Sequence, residues 1–103
     1  MNKNTYHVFF TNLANPLRID IVTLLREKEK SVTEISKALG VEQSKVSHAL
    51  STLKCCSIVE VKQKGKQRIY FLNKKTIIPI LKLIDKHAKV FCKNTECGGC
   101  KNE

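Results

Sequence analysis

Acidic side chains are scarce in this 103-residue chain: 9 Asp and Glu stand against 19 Lys and Arg, for a formal net charge of +10. A surplus of that size makes a field that draws in polyanions, either nucleic acid or an anionic membrane face, and charge alone does not choose between them. Long apolar runs are missing as well. No uninterrupted stretch approaches the roughly 20 residues of a membrane span, and the opening from Met1 to Phe10 is too short for a signal peptide. The expectation is a cytoplasmic protein with no membrane partner. No pair of carboxylates, no nucleophile beside a base and no glycine-rich phosphate loop is recognisable, so nothing supports an enzyme. Internal repeats, low-complexity blocks and linkers are also lacking, and the length suits one compact domain, more easily stabilised if two copies associate.

What is present begins with Val32 to Leu53, two short amphipathic helical patterns hinged at Leu39-Gly40-Val41. In the first, Val32, Ile35 and Leu39 fall at helical spacing, and Ser31 followed by Glu34 is a capping-box signature. Gly40 comes just past the last periodic residue, where a left-handed backbone turns the chain sharply. The second helix, about Gln43 to Cys55, offers Val46, Leu50 and Leu53 to the core. Gln43, Ser44, Lys45, Ser47, His48, Ser51 and Lys54 are left outside. A helix with one apolar face and one hydrogen-bonding face is what a DNA major groove accepts, with Gln43, Ser44, Ser47 and His48 at the end that reaches base edges. An ordinary helical hairpin with a solvated polar face has the same pattern, so the segment needs support from its neighbours.

Upstream, Tyr6, Phe9, Phe10 and Leu13 mark a helix from Thr5 to Leu13. Asn15-Pro16 then reads as a cap with proline at the first position of a second helix. Apolar residues Leu17, Ile19, Ile21, Val22, Leu24 and Leu25 surround most of that helix, which predicts a central core element ending in the charged turn Arg26 to Lys30. Downstream, Ile58 to Val61 and Ile69 to Leu72 are β-rich runs separated by Lys62 to Arg68. They predict a hairpin with a basic tip. Lys62, Lys64, Lys66 and Arg68 occupy alternate positions, so an extended tip would place them on one side against a phosphate backbone. Edge hairpins also carry lysine merely to prevent aggregation. From Lys74 or Lys75 to about Phe91, Ile77, Leu81, Ile84, Ala88 and Phe91 form a seam on a long last helix. That seam, with Tyr6, Phe9 and Phe10, is more apolar face than one small domain covers, which argues for a homodimer.

The order helix, helix, helix-turn-helix, basic hairpin, helix resembles the winged helix-turn-helix regulators of the arsenic-repressor (ArsR/SmtB) family over nearly the whole chain. Three strings carry the resemblance: Leu13 to Ile19 is similar to the family's opening LADPTRLRIL, Ser44 to Leu53 to its recognition helix, and Lys64 to Leu72 to its wing. It implies a mainly α fold with a small β-hairpin, in the order α-α-α-α-β-β-α. It also implies a homodimer through the first and last helices, and repression of transcription from a palindromic double-stranded DNA operator, relieved when a metal, metalloid or thiol oxidant reaches a sensor. Residues 1–92 would form the DNA-binding and dimerisation domain and 93–103 a flexible cysteine-containing tail.

Cys92, Cys97 and Cys100 are the sensor candidates, spaced C-x4-C-x2-C with Gly98 and Gly99 allowing the thiolates to converge. In the cytosol cysteines stay mostly reduced, and soft thiolates select thiophilic ions such as zinc, cadmium or trivalent arsenic. Incidental cysteines or a labile Cys97–Cys100 disulfide are the alternatives. The family's Cys-Val-Cys site is absent, since Ser31-Val32-Thr33 stands there. Asp85-Lys86-His87 matches half of its last-helix zinc site, and Cys97 and Cys100 stand one residue short of the other half. Asp85 and His87 are therefore further metal candidates, as are Cys55 and Cys56, although neighbouring cysteines point apart on a helix and each also suits an apolar interior. A ligand-independent or redox-switched nucleic-acid-binding module with a structural zinc tail is the competing reading of the whole chain.

Overall fold

The computed structural model describes residues 3–91, which fall into two units divided between Asn73 and Lys74. In the first unit the order is α1 (Lys3–Leu13), α2 (Pro16–Glu27), β1 (Lys30–Ser31), α3 (Val32–Leu39), α4 (Gln43–Cys55), β2 (Val59–Lys64) and β3 (Gln67–Leu72). The second unit contributes α5 (Ile77–Phe91). This is a winged helix-turn-helix, with one strand more than the sequence pattern suggested. At two residues, β1 is too short to leave a periodic signature.

Each helix boundary has a local cause. Asn15 sits in extended backbone before α2 and its side-chain oxygen accepts the Arg18 N–H at 3.1 Å, while Pro16 fills a position where no N–H is needed. Arg18 in turn donates to the Asn12 carbonyl at 3.2 Å, tying α2 to the last turn of α1. α4 ends in a Schellman arrangement: the Ser57 N–H bonds the Lys54 carbonyl and the Ile58 N–H the Leu53 carbonyl, with Ser57 at φ 57. Leu53 and Ile58 are both fully buried across that closure. α5 starts later than the expected Lys74 or Lys75, after a turn at residues 74–76. Pro79 falls in its first turn, where a missing N–H costs nothing.

The core of the first unit is shared among α2 (Ile21, Val22, Leu25), α3 (Ile35), α4 (Val46, Ala49, Leu50, Leu53) and the strand segment (Ile58, Val59, Ile69, Leu72). Each large aliphatic side chain buried there contributes about 1.5–3 kcal/mol. α2 is less encircled than its composition predicted, since Ile19 stays exposed and Leu17 and Leu24 are half-buried. The alternation of apolar residues in α2 exceeds what its neighbours cover. α1 is the extreme case, with Tyr6, Val8 and Phe10 exposed and the Phe9 and Phe10 rings edge to face at 5.4 Å.

β3 lies between β1 and β2 in an antiparallel sheet of order β1-β3-β2. The strands run further into the basic segment than their apolar runs did. Residues 62–64 and 67–68 are strand, leaving the two-residue turn Gly65-Lys66, with Gly65 at φ 65. A positive φ at the first turn position is the type II′ geometry that matches strand twist.

Among the described residues no single helix is long and apolar enough to cross a membrane; the segments Asn4–Leu13 and Pro16–Glu27 meet that test only as a pair bent by 78°.

Replacing Ser57 by glycine relieves a left-handed residue of its Cβ and should raise unfolding stability by about 0.5–1 kcal/mol in urea denaturation. A loss of stability would show that the Ser57 side chain supports the turn.

Candidate nucleic-acid interface

α4 advances roughly 100° per residue, which places Val46, Ala49, Leu50 and Leu53 on one arc and Ser44, Ser47, His48 and Ser51 on the opposite one. Burial follows this division. The four apolar residues are buried, while Gln43, Ser44, Lys45, Ser47, His48, Ser51 and Lys54 are all exposed, as the sequence predicted. Gln43, Lys45 and Lys54 flank the central arc. The result is a polar ridge with cationic margins, carried on a helix whose other side is locked into the core.

Two local devices aim that ridge. Ser31 ends β1 and caps α3: its hydroxyl accepts the Glu34 N–H at 3.2 Å, and its own N–H donates to Glu34 Oε1 at 2.8 Å, a complete capping box. At the other end of α3, Gly40 adopts φ 67 and ψ 35, and the Gly40 and Val41 N–H groups both reach the Ser36 carbonyl. The Ser36 hydroxyl donates to the Val41 carbonyl and closes the turn. α3 therefore begins and ends at fixed points, and α4 starts three residues past Gly40.

The wing disposes its cations differently from the simple alternation expected. Residues directly opposite in an antiparallel pair share a face. Lys62 pairs with Ile69 and Lys64 with Gln67, so these four lie on one face, whereas Gln63 pairs with Arg68 on the other. Arg68 is thus turned away from Lys62 and Lys64, because the two-residue turn resets the count that a continuous strand would have kept. Lys66 occupies the turn itself. All four are exposed. Lys62 is also engaged within the domain: its ammonium lies 2.9 Å from Glu29 Oε1 and 5.4 Å from the Phe71 ring centroid. Glu29 went unnoticed in the sequence because it precedes β1 and comes to Lys62 only through the sheet.

The family model for bacterial regulatory proteins of the arsR family matches residues 15–61, which contain α2, the helix-turn-helix and the start of the wing. The biofilm growth-associated repressor of Xylella fastidiosa is 32% identical over 80 residues, covering 78% of this chain and 68% of that protein. This chain belongs to the arsR family. The uncharacterised HTH-type transcriptional regulator Rv0081 of Mycobacterium tuberculosis is 36% identical over 74 residues, 71% of this chain and 65% of that protein, so the match spans slightly less than two thirds of that relative's length. Among solved structures, the homodimeric winged helix-turn-helix DNA-binding domain of Mb0332 from Mycobacterium bovis superposes with a TM-score of 0.76 at 26% identity, covering 84% of this chain and 80% of that one.

Some of the metal candidates of this arsR-family chain fall among the described residues and some do not. Cys92, Cys97 and Cys100 lie outside the described residues. Cys55 is exposed and Cys56 half-buried, both as free thiols, and Cys56 Sγ accepts the Asn12 side-chain N–H at 2.7 Å. That bond ties the end of α4 to α1, a role the sequence did not reveal. On α5, Asp85 and His87 are exposed and the His87 ring lies 5.0 Å from that of Phe91. Among the described residues no three His, Cys, Asp or Glu side chains converge on a point where an ion could sit.

Glu34 has its carboxyl held below the ordinary carboxylate value, chiefly by the hydrogen bond from the Ser31 N–H, with Lys30 and Lys28 adding to it. A lowered folded-state value means that the charged capping box stabilises above the ordinary carboxylate range and loses that contribution as pH falls through the lowered value. Glu34→Gln keeps the acceptor but not the charge. In thermal melts the wild type should exceed this variant at neutral pH, with the gap closing as pH drops below about 4. A gap that does not change with pH would remove the charge from the account.

Proposed function

We propose that this arsR-family protein is a sequence-specific DNA-binding transcriptional repressor, working as a homodimer and released from DNA when a thiophilic metal or metalloid binds its cysteines. The observation that carries the reading is the exposed polar arc of α4, presented by a helix with its opposite side in the core. Ser44, Ser47, His48, Ser51 and Gln43 would meet base edges in the major groove, where hydrogen-bonding side chains distinguish base pairs. Lys45 and Lys54 at its margins, with Lys64, Lys66 and Arg68 of the wing, would supply the charge that neutralises phosphates. Regulator and repressor names among the relatives favour this over any catalytic role.

Dimerisation is favoured by the apolar surface that each end of the chain leaves open. Tyr6, Val8 and Phe10 on α1 and Leu83, Ile84, Val90 and Phe91 on α5 are exposed, Phe91 to 71%. Isolated soluble domains rarely leave so much apolar area in water. The homodimeric state of the Mycobacterium bovis domain supports the same arrangement here. Two copies related by a two-fold axis would set their α4 helices about 34 Å apart, one turn of B-form DNA, on a palindromic site. Residues 1–92 would act as the DNA-binding and dimerising domain, 93–103 as a cysteine-containing tail, and the cytoplasm is the compartment where such a protein meets DNA.

The ion would be held by Cys92, Cys97 and Cys100, with Cys55, Cys56, Asp85 and His87 as further candidates, and its ligand chemistry favours zinc, cadmium or trivalent arsenic. Soft thiolates supply affinity and selectivity. Release of DNA then requires that the ion bind more tightly to a geometry in which the α4 helices no longer fit the grooves.

Fluorescence anisotropy with the chain's own promoter duplex tests the DNA arm. Ser47→Ala or His48→Ala should reduce the preference for promoter over random duplex by ~1–3 kcal/mol, and Lys66→Ala should weaken both duplexes alike and lower the salt slope by about 0.9. Equal losses on both duplexes from every variant would refute base reading by α4. Titrating reduced protein with zinc, cadmium and arsenite should weaken promoter binding, an effect that vanishes when Cys92, Cys97 and Cys100 become serine. Tight metal binding with unchanged promoter affinity would instead favour a structural tail.

A further inference from the structure

The wing's four cations do not stand in equivalent surroundings, and Lys62 is the one whose charge is already answered. It lies in the middle of β2, the edge strand of the sheet, held on one side only by β3. Its ammonium contacts the Glu29 carboxylate at 2.9 Å and stands over the Phe71 ring at 5.4 Å. Glu29 immediately precedes β1, on the far side of β3 from β2. The link therefore crosses the face of the sheet, from the segment leading into β1, over β3, to the outermost strand. Phe71 belongs to β3 and shares the Lys62 face, since it pairs with Glu60, two residues along β2 from Lys62. Lysine suits this position because one ammonium can stand over the ring face and meet the carboxylate at the same time.

We infer that Lys62 is a positioning residue, which fixes the angle of the wing through Glu29 and Phe71, and not one of the wing's phosphate contacts. This rests on the reading that the wing meets DNA. A two-stranded ribbon projecting past the core is free to twist, and Ile69 is the first buried residue of β3 after the turn. Lys62 pairs with Ile69, so the strap is fastened at the point where the ribbon leaves the core. Beyond it lie Lys64, Lys66 and Arg68, whose reach to a phosphate backbone depends on the direction the ribbon takes. A lysine already matched with a carboxylate would release no counterion on meeting DNA unless it first left Glu29.

The test compares salt dependence with affinity on the promoter duplex, using anisotropy and four proteins: wild type, Lys62→Gln, Lys66→Gln and the charge-swapped double variant Glu29→Lys with Lys62→Glu. The double variant has the wild-type net charge. Lys62→Gln should bind about threefold to fivefold more weakly, the scale of an exposed ion pair, with the slope of log affinity against log salt unchanged. The charge swap should recover wild-type affinity within about twofold. Lys66→Gln, by contrast, should lower the slope by about 0.9, the value of one lost phosphate contact. A slope reduced equally by Lys62→Gln, or a swapped protein that stays weak while its thermal melt matches wild type, would overturn the assignment. If Lys66→Gln also leaves the slope untouched, the wing does not meet DNA, and the functional reading of the wing fails together with this one.

Discussion

Ser31 belongs to two structures at once, and the arrangement of the helix-turn-helix against its wing depends on it. As the last residue of β1 it pairs with Ile69 at the centre of the sheet; as the cap of α3 it exchanges two hydrogen bonds with Glu34. It is the one buried polar residue among those described. Burying a hydroxyl and an N–H costs about 1–3 kcal/mol each if they are left unsatisfied, so the capping box is the condition on which β1 can enter the interior at all. With Ser31 fixed, α3 has one origin, and its end at Gly40 then determines where α4 starts. A shift of one residue in the β1–β3 register would turn the capping side chain to the wrong face.

The charge of the chain acts within this frame. A net charge of +10 on so few residues gives long-range attraction to a polyanion whatever the fold. The fold decides which cations project. α4 sets Lys45 and Lys54 at the margins of a polar arc, and the hairpin register divides Lys62 and Lys64 from Arg68. One lysine is drawn back to Glu29. Attraction is thus a property of composition, whereas the pattern of projecting charge is a property of the sheet.

Much of this was legible beforehand because the signals were local. Asn15-Pro16, Ser31 with Glu34, Gly40 and the apolar stripe of α4 are short-range devices, each satisfied within about four residues, and all appear where the spacing put them. The exposed face of α4 could be read for the same reason. What escaped notice was non-local or unmarked by hydrophobicity: β1, the polar outer halves of β2 and β3, the left-handed Ser57, and the meetings of Glu29 with Lys62 and Asn12 with Cys56. A polar edge strand has no buried face to impose a period on its sequence, and contacts 44 residues apart leave no spacing to detect.

The amino-acid sequence by itself determined the helices, their caps, the sharp turn at Gly40 and the surplus of positive charge, since each follows from backbone geometry and side-chain chemistry within a turn or two. Tertiary structure alone decided which face each wing cation occupies, because a two-residue turn reverses the alternation and only strand pairing shows where. It also decided that Lys62 meets a carboxylate, and that Ile19 stays in water while Ile21 does not, since burial depends on which neighbours the rest of the chain brings.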